Sequence, residues 1–581
     1  MKVQSATPDH PSFAKPVLRP VAKALLLAGI TMTSSAGLAA TLSNPVCPIE
    51  TVFFGPGNGQ DIVVPAGFTV SVFAQGLNFP VGIAFKGNKN HFEVYVLESG
   101  HGLPSRCNDE TSPVVGGETS PTNPFTPDIL VFDQNGSLLR GPLAKPSSGP
   151  DSLQPHGPAI DIAFEKGFHG GRLFATDSNQ AIRAVGAQNN SSRIVIVDPD
   201  SGKVTPFISG LPTGDHPAEQ ITFDGDWIYW SQGSTTNAGV VGLDNGGGAN
   251  QQDIPCQDIV LSSNTFSSGG GVFTSGYSPH GVTNPGGPVA AFTGATGPGI
   301  CDGAILRAKV NAKNPKATIE PFSWGYRNPF GIRFAPHDHA LKGGLLVTEN
   351  GEDERGARPV NNAPDRLALA QQNKDGSPDY HGWPDRFGFL ESTQAVFNPV
   401  CGPGDDLFPN CAAIFALDIP VKPVLAFPPQ PITAPLALEP ADVAAVGLDF
   451  VPDSFVTGPV RKGAALVSRE GDFGFSAANG LPEAGHDIEL VNFSRPGEPL
   501  QLQQTRFAHN TTFEQAFVGA LRGINRPADL KFGPDDCAYL VDYGAVRDFG
   551  QSDPASKFID PADAPLVQIP GTGVIWKICK P

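Results

Sequence analysis

The chain has 581 residues, of which 17% are charged, with 68 glycines, 58 prolines and a formal net charge of −18. So acidic a chain is a poor partner for nucleic acid or an anionic membrane surface. So much glycine and proline suits many short strands and turns better than long helices.

At the N-terminus, Lys15, Arg19 and Lys23 precede an apolar and small-residue run from Ala24 to Ala40 that ends in Gly37-Leu38-Ala39-Ala40. Basic, then apolar, then small is the order of a secretory signal peptide, expected over residues 1–40. The run is too short and too rich in Ser and Thr to span a bilayer, and no later stretch reaches about 18 uninterrupted apolar residues. The mature chain is therefore expected in the periplasm or outside the cell, without a membrane span.

All eight cysteines follow the signal: Cys47, Cys107, Cys256, Cys301, Cys401, Cys411, Cys537 and Cys579. An even number in an exported chain points to disulfides. Cys256–Cys301 and Cys401–Cys411 are the expected pairs, because each brackets one Gly/Pro-rich stretch. The absence of Cys-x-x-Cys argues against a zinc ribbon and a covalently attached haem. The only methionines, Met1 and Met32, lie in the signal, so a blue-copper axial ligand or a His/Met haem has no methionine to use.

Beyond the signal the chain repeats. A polar or proline lead-in is followed by a short apolar strand ending in Phe, at Pro80–Phe85, Pro158–Phe164, Glu219–Phe223, Pro329–Phe334, Ala445–Phe450 and Pro527–Phe532. A turn later each copy has a second apolar strand, through Val94–Leu97, Leu173–Thr176, Trp227–Trp230, Leu345–Thr348, Ala464–Val467 and Ala538–Val541. Third strands follow in several copies, as at Ile129–Phe132 and Arg193–Val197. Six copies of an antiparallel unit predict an all-β, six-bladed β-propeller with long loop insertions, one domain over 41–581. Phe68–Phe73 before the first copy and Gly573–Ile578 after the last are expected to share one blade and close the ring. A pair of β-sandwiches is the competing architecture. Two stretches, about 234–303 and 386–440, interrupt the pattern; they are either surface loops or walls of the channel mouth.

Three places carry polar chemistry against this background. Gly210–Pro217 leads into the third unit and holds Asp215 and His216. A histidine beside the axis suits proton abstraction near neutral pH, and Asp215 either orients it or caps a turn. Gly325–Gly331 leads into the fourth unit with Arg327, a permanent cation with a planar donor fork; an inter-blade salt bridge would use the same residue. Thr348–Gly356 follows the second strand of that unit. Its carboxylates, amide and glycine-freed carbonyls suit a hard cation such as Ca²⁺, as they would an acidic turn without metal.

The series Tyr326-Arg327-Asn328-Pro329-Phe330-Gly331-Ile332, Thr348-Glu349-Asn350-Gly351 and His381-Gly382-Trp383-Pro384-Asp385 resembles the PQQ-dependent glucose/sorbosone dehydrogenase family. Asp215-His216, Ile221-Thr222-Phe223 and Ser231-Gln232-Gly233 resemble its base-bearing segment, and Arg526-Pro527-Ala528-Asp529-Leu530 its last-blade arginine segment. The resemblance covers most of residues 68–579 outside the two insertions. It implies oxidation of a sugar or related alcohol by pyrroloquinoline quinone (PQQ), with Ca²⁺ and a soluble electron acceptor. His216 would be the base and Arg327 the stabiliser of negative charge on the quinone oxygen. Asn328 would touch the cofactor and Arg526 would pair with one of its carboxylates. Oxygens of Asn350, Gly351 and Glu352 would hold the cation. The family's fifth-unit cofactor lysine has its nearest basic counterpart in Arg469, and Ser234 stands where the glucose-oxidising members carry an acidic residue. Two other classes fit a six-bladed propeller: a calcium-dependent lactonase or hydrolase, and a non-catalytic binding module.

Overall fold

A computed structural model describes residues 41–43, 52–100, 126–146, 151–179, 190–242, 251–399, 420–471, 484–548 and 566–581, apart from 156, 269–270, 295–296, 355 and 432. The expected signal peptide and the Cys401–Cys411 pairing lie outside them. Ala40–Pro581 forms one compact unit. Among the described residues there is no α-helix, and no helix is long and apolar enough to cross a membrane.

The six repeats are six blades, antiparallel apart from one short parallel strand, Asp379–Tyr380, at the outer edge of blade three. Their innermost strands are Pro80–Asn88, Ile162–Phe164, Ala218–Asp224, Ile332–Phe334, Ala445–Phe450 and Pro527–Phe532, and each meets the inner strands on either side, so the ring closes. Closure is made as the sequence predicts. Thr69–Leu77 pairs antiparallel with Gly573–Cys579, bringing Val72 opposite Trp576, and becomes the outermost strand of blade six.

The recurrent phenylalanine has a structural reason. Each one packs on an aromatic ring of the preceding blade, with centroids 4.9–5.3 Å apart in the pairs Phe85/Tyr539, Phe164/Tyr95, Phe223/Phe174, Phe334/Tyr229, Phe450/His339 and Phe532/Phe455. The contact is the same inter-blade staple six times over, at distances typical of favourable aromatic pairs.

Three residues before each phenylalanine lies a layer that crosses the axis: Gly82, Asp161, Gln220, Gly331, Gly447 and Asp529. Glycine is needed where the next blade's strand passes close. A Cβ at Gly331 would strike the Val446 carbonyl, and one at Gly447 would strike Asp529. The polar members bond across the axis. Gln220 Nε2 donates to Asp529 Oδ1 at 2.8 Å, and Lys531 Nζ to Asp161 Oδ1 at 2.6 Å. Asp529 Oδ2 lies 3.3 Å from the same ammonium.

The first insertion separates the second and third strands of blade three, and the second the third and fourth strands of blade four. They meet at a Leu261–Leu425 bridge. Arg358 joins them to the acidic turn, donating to the carbonyls of Ala238, Pro384 and Lys422 and to Asp385 Oδ1. The insertions are thus fastened to the turn that follows the Arg327 strand.

Cys256–Cys301 is bonded as expected, and Cys537, just before the strand Ala538–Asp542, is bonded to Cys579 at the end of the neighbouring strand of blade six. Cys256 and Cys301 are buried and 45 residues apart. Replacing both by alanine should cost about 2–4 kcal/mol, read as a lower guanidinium midpoint; an unchanged midpoint would show that the bridge is dispensable.

Candidate active site

The loop carrying Asp215 and His216 is held as an extension of the blade-three hairpin. Gly233 N donates to Pro217 O, His216 N to Ser234 O, and Asp215 N to Thr235 O, at 2.9–3.1 Å. Ser234 N then donates to Arg327 O at 2.8 Å, tying the next blade's loop alongside. Gly233 permits this stacking, since a Cβ there would collide with that of His216.

His216 and Arg327 come together through one carboxylate. Asp215 Oδ2 lies 3.5 Å from His216 Nδ1 and 3.6 Å from Arg327 Nη2. Arg327 Nη2 is also 2.5 Å from Asp353 Oδ2. The histidine side chain keeps 20% exposure and the arginine side chain 4%, so only the imidazole reaches solvent appreciably.

Arg327 is fixed at its main chain as well. Its N–H donates to Glu349 Oε1 at 2.9 Å, and Arg366 Nη2 donates to the same oxygen at 2.5 Å. Arg366 Nη1 continues to the His381 carbonyl. His381 itself stacks on Tyr326 at 4.5 Å, and burial pushes its ring down to about 3, so it is neutral packing. The His-Gly-Trp-Pro-Asp motif therefore braces the arginine from behind.

Asn328 Nδ2 donates to Asn350 Oδ1 and Asn350 N to Asn328 O, both at 3.0 Å, while Asn350 Nδ2 reaches Ala445 O. Gly351 N donates to Asp365 Oδ1. Glu352 is buried, its Oε1 has no hydrogen-bond partner among the described residues, and burial pushes its carboxyl up to about 8. Arg327 Nε and Asn328 Oδ1 are likewise buried without partners among those residues. A donor, an acceptor and an acidic oxygen are thus left unsatisfied in two consecutive segments, which is costly unless something binds there.

Arg526 and Arg469 are placed differently. Arg526 is fully enclosed, and its Nη1 donates to Gly471 O at 3.0 Å. Arg469 gives two bonds of 2.7 Å to Asp487 and one each of 3.2 Å to Glu439 and Glu489. It therefore belongs to the ion network of blade five and does not join His216 and Arg327.

Arg366 and Asp365 bear on the site through contacts 17 and 14 residues apart in sequence, and no motif marks them; Asp353 lies in the acidic turn, but its partner Arg327 stands 26 residues away. Glu219, three residues after His216, is buried with Oε2 unpartnered among the described residues. Burial and then the Glu470 charge push its carboxyl well up, and burial pushes Glu470 to about 7. Groups raised in this way favour the fold while protonated and lose that contribution as pH rises through the folded value. Stability should therefore fall from the ordinary carboxylate range upward through about 7 and beyond. Glu219→Gln should flatten that slope in melting temperature against pH; an equally steep decline in the variant would contradict it.

No protein-family model and no curated protein matches the sequence. Among solved structures, the chain is similar to the holo PQQ domain of pyranose dehydrogenase from Coprinopsis cinerea (14% identity, 89% of this chain and 96% of that one, TM-score 0.45). It is similar to a calcium structure of the carbohydrate-active enzyme family AA12 from Trichoderma reesei (13%, 90% and 97%, TM-score 0.47). It is also similar to PQQ-bound aldose sugar dehydrogenase from Streptomyces coelicolor (15%, 89% and 99%, TM-score 0.42).

Proposed function

We propose that the chain is an exported quinoprotein dehydrogenase that oxidises a sugar or related alcohol or aldehyde, using PQQ and Ca²⁺. The observation that carries this is the joining of His216 and Arg327 through Asp215 Oδ2 at one end of the propeller axis. In this reading Asp215, its Oδ2 3.5 Å from Nδ1 of the imidazole, supplies a negative charge beside the ring, and Nε2 takes the proton of the substrate hydroxyl. The Arg327 fork stabilises negative charge developing beside it.

The unsatisfied atoms fit the implied groups. Arg327 Nε and Asn328 Oδ1 suit the carbonyl and ring N–H of a quinone. The Glu352 carboxylate, with backbone oxygens near Gly351 and the amide of Asn350, makes a hard-oxygen set suited to Ca²⁺. Among the described residues no three His, Cys, Asp or Glu side chains converge as metal ligands, so backbone oxygens would supply much of the set. When bound, the quinone supplies the hydride acceptor; the protein supplies the base, the charge and the orientation. Arg526 is proposed to pair with a cofactor carboxylate.

Reconstitution decides the matter. The protein given PQQ and Ca²⁺ should reduce a dye with aldoses, and should need both. Lactone hydrolysis with Ca²⁺ alone would replace this reading by a hydrolase, and no response to either would leave a binding module.

A further inference from the structure

Asn237 belongs to the first insertion, outside every motif, yet it sets the position of Arg327. Its side-chain amide forms a reciprocal pair with the main chain of Asp353: Nδ2 donates to Asp353 O at 2.8 Å, and Asp353 N donates to Asn237 Oδ1 at 2.9 Å. A side-chain amide used this way imitates a backbone bridge and fixes both position and direction of the residue it grips. The carboxylate so delivered is the one 2.5 Å from Arg327 Nη2.

The grip is itself anchored. Thr235 and Thr236, immediately before Asn237, are each held twice by a buried aspartate. Thr235 N and Oγ1 donate to Asp302 Oδ2 at 3.0 and 2.5 Å. Thr236 N and Oγ1 donate to Asp253 Oδ1 and Oδ2 at 2.9 and 2.6 Å. Asp302 adjoins Cys301, and Asp253 lies three residues before Cys256, so the disulfide locks the two aspartates together. Insertion, asparagine, aspartate and arginine form one connected chain.

We infer that Asn237 is a positioning residue: through Asp353 it aims the Arg327 guanidinium, so that the first insertion takes part in building the active site. The catalytic part of this inference rests on the proposed dehydrogenase function, while the positioning part does not.

Both parts are tested on the full chain. Phenylglyoxal labels arginine side chains, and the Arg327 peptide is quantified by mass spectrometry. In apo protein, Asn237→Ala and Asp353→Asn should each speed labelling of Arg327, and the double variant should label no faster than Asp353→Asn alone. Arg469, buried and bound to Asp487, Glu439 and Glu489 outside this chain of contacts, should keep its protection and show that the fold is intact. Should Asn237→Ala fail to fold, Asn237→Asp breaks the bond to the Asp353 carbonyl at almost unchanged volume. Wild-type labelling in a folded Asn237 variant would overturn the inference, as would additive effects in the double variant.

In the reconstituted enzyme, Asn237→Ala should lower kcat by up to about 10²-fold with KM little changed, the cost of a misplaced reacting group. Altered labelling with unchanged kcat would refute the catalytic part. A wild-type protein without quinone-dependent turnover would refute the dehydrogenase reading instead, and labelling alone would then judge the positioning.

Discussion

His216→Ala is expected to lower the turnover of the reconstituted protein by roughly 10²–10⁴-fold, the usual worth of a positioned general base. Affinity for the quinone and melting temperature should stay near wild type. The imidazole is the partly exposed member of the cluster, and the loop around it is held by main-chain bonds that alanine keeps. Arg327→Lys should not restore an Arg327→Ala loss. One guanidinium lies near two carboxylates at once, Asp353 at 2.5 Å and Asp215 at 3.6 Å, and a single ammonium does not reproduce that planar fork. Wild-type turnover in purified His216→Ala would sink the assignment of the base.

The largest effect on stability should come from the axis. Lys531→Met is expected to destabilise the propeller by about 3–5 kcal/mol, because removing one member of a buried ion cluster strands the others. The lost cation faces Asp161 at 2.6 Å and Asp529 at 3.3 Å, and both carboxylates are buried. Burial already pushes Asp529 upward and Lys531 offsets that, so removing the cation should raise it further. The measurement is a denaturant midpoint near neutral pH, where the stranded charges cost most. A loss below about 1 kcal/mol, the scale of an exposed pair, would mean that the layer is hydrated and not sealed.

Local order is legible in the sequence. Six strands ending in phenylalanine, each followed by an apolar strand, specify six blades, because a strand with one buried face must find the same kind of neighbour every time. The pairing of Thr69–Leu77 with Gly573–Cys579 follows, since a ring of blades is held shut when its two ends share one blade. Cys256–Cys301 was readable for a similar reason: a long insertion needs its ends held together. His216 and Arg327 were found because their loops occupy equivalent places before consecutive inner strands.

The repeat, the ring and the two loops that carry His216 and Arg327 are written in local pattern. Tertiary structure decided the rest, because those contacts join residues whose spacing follows no period. Gln220 meets Asp529 only because blades three and six stand opposite one another across the axis. Arg469, one basic residue in a plausible place, is occupied because Asp487 and Glu489 of blade five and Glu439 of blade four converge on it. That the first insertion reaches the Arg327 neighbourhood depends on Asn237 bonding Asp353 across 116 residues. Strand alternation is written in neighbouring residues; the partner of a buried charge is chosen by whichever opposite charge the closed ring brings within reach, and burial makes that choice energetically decisive.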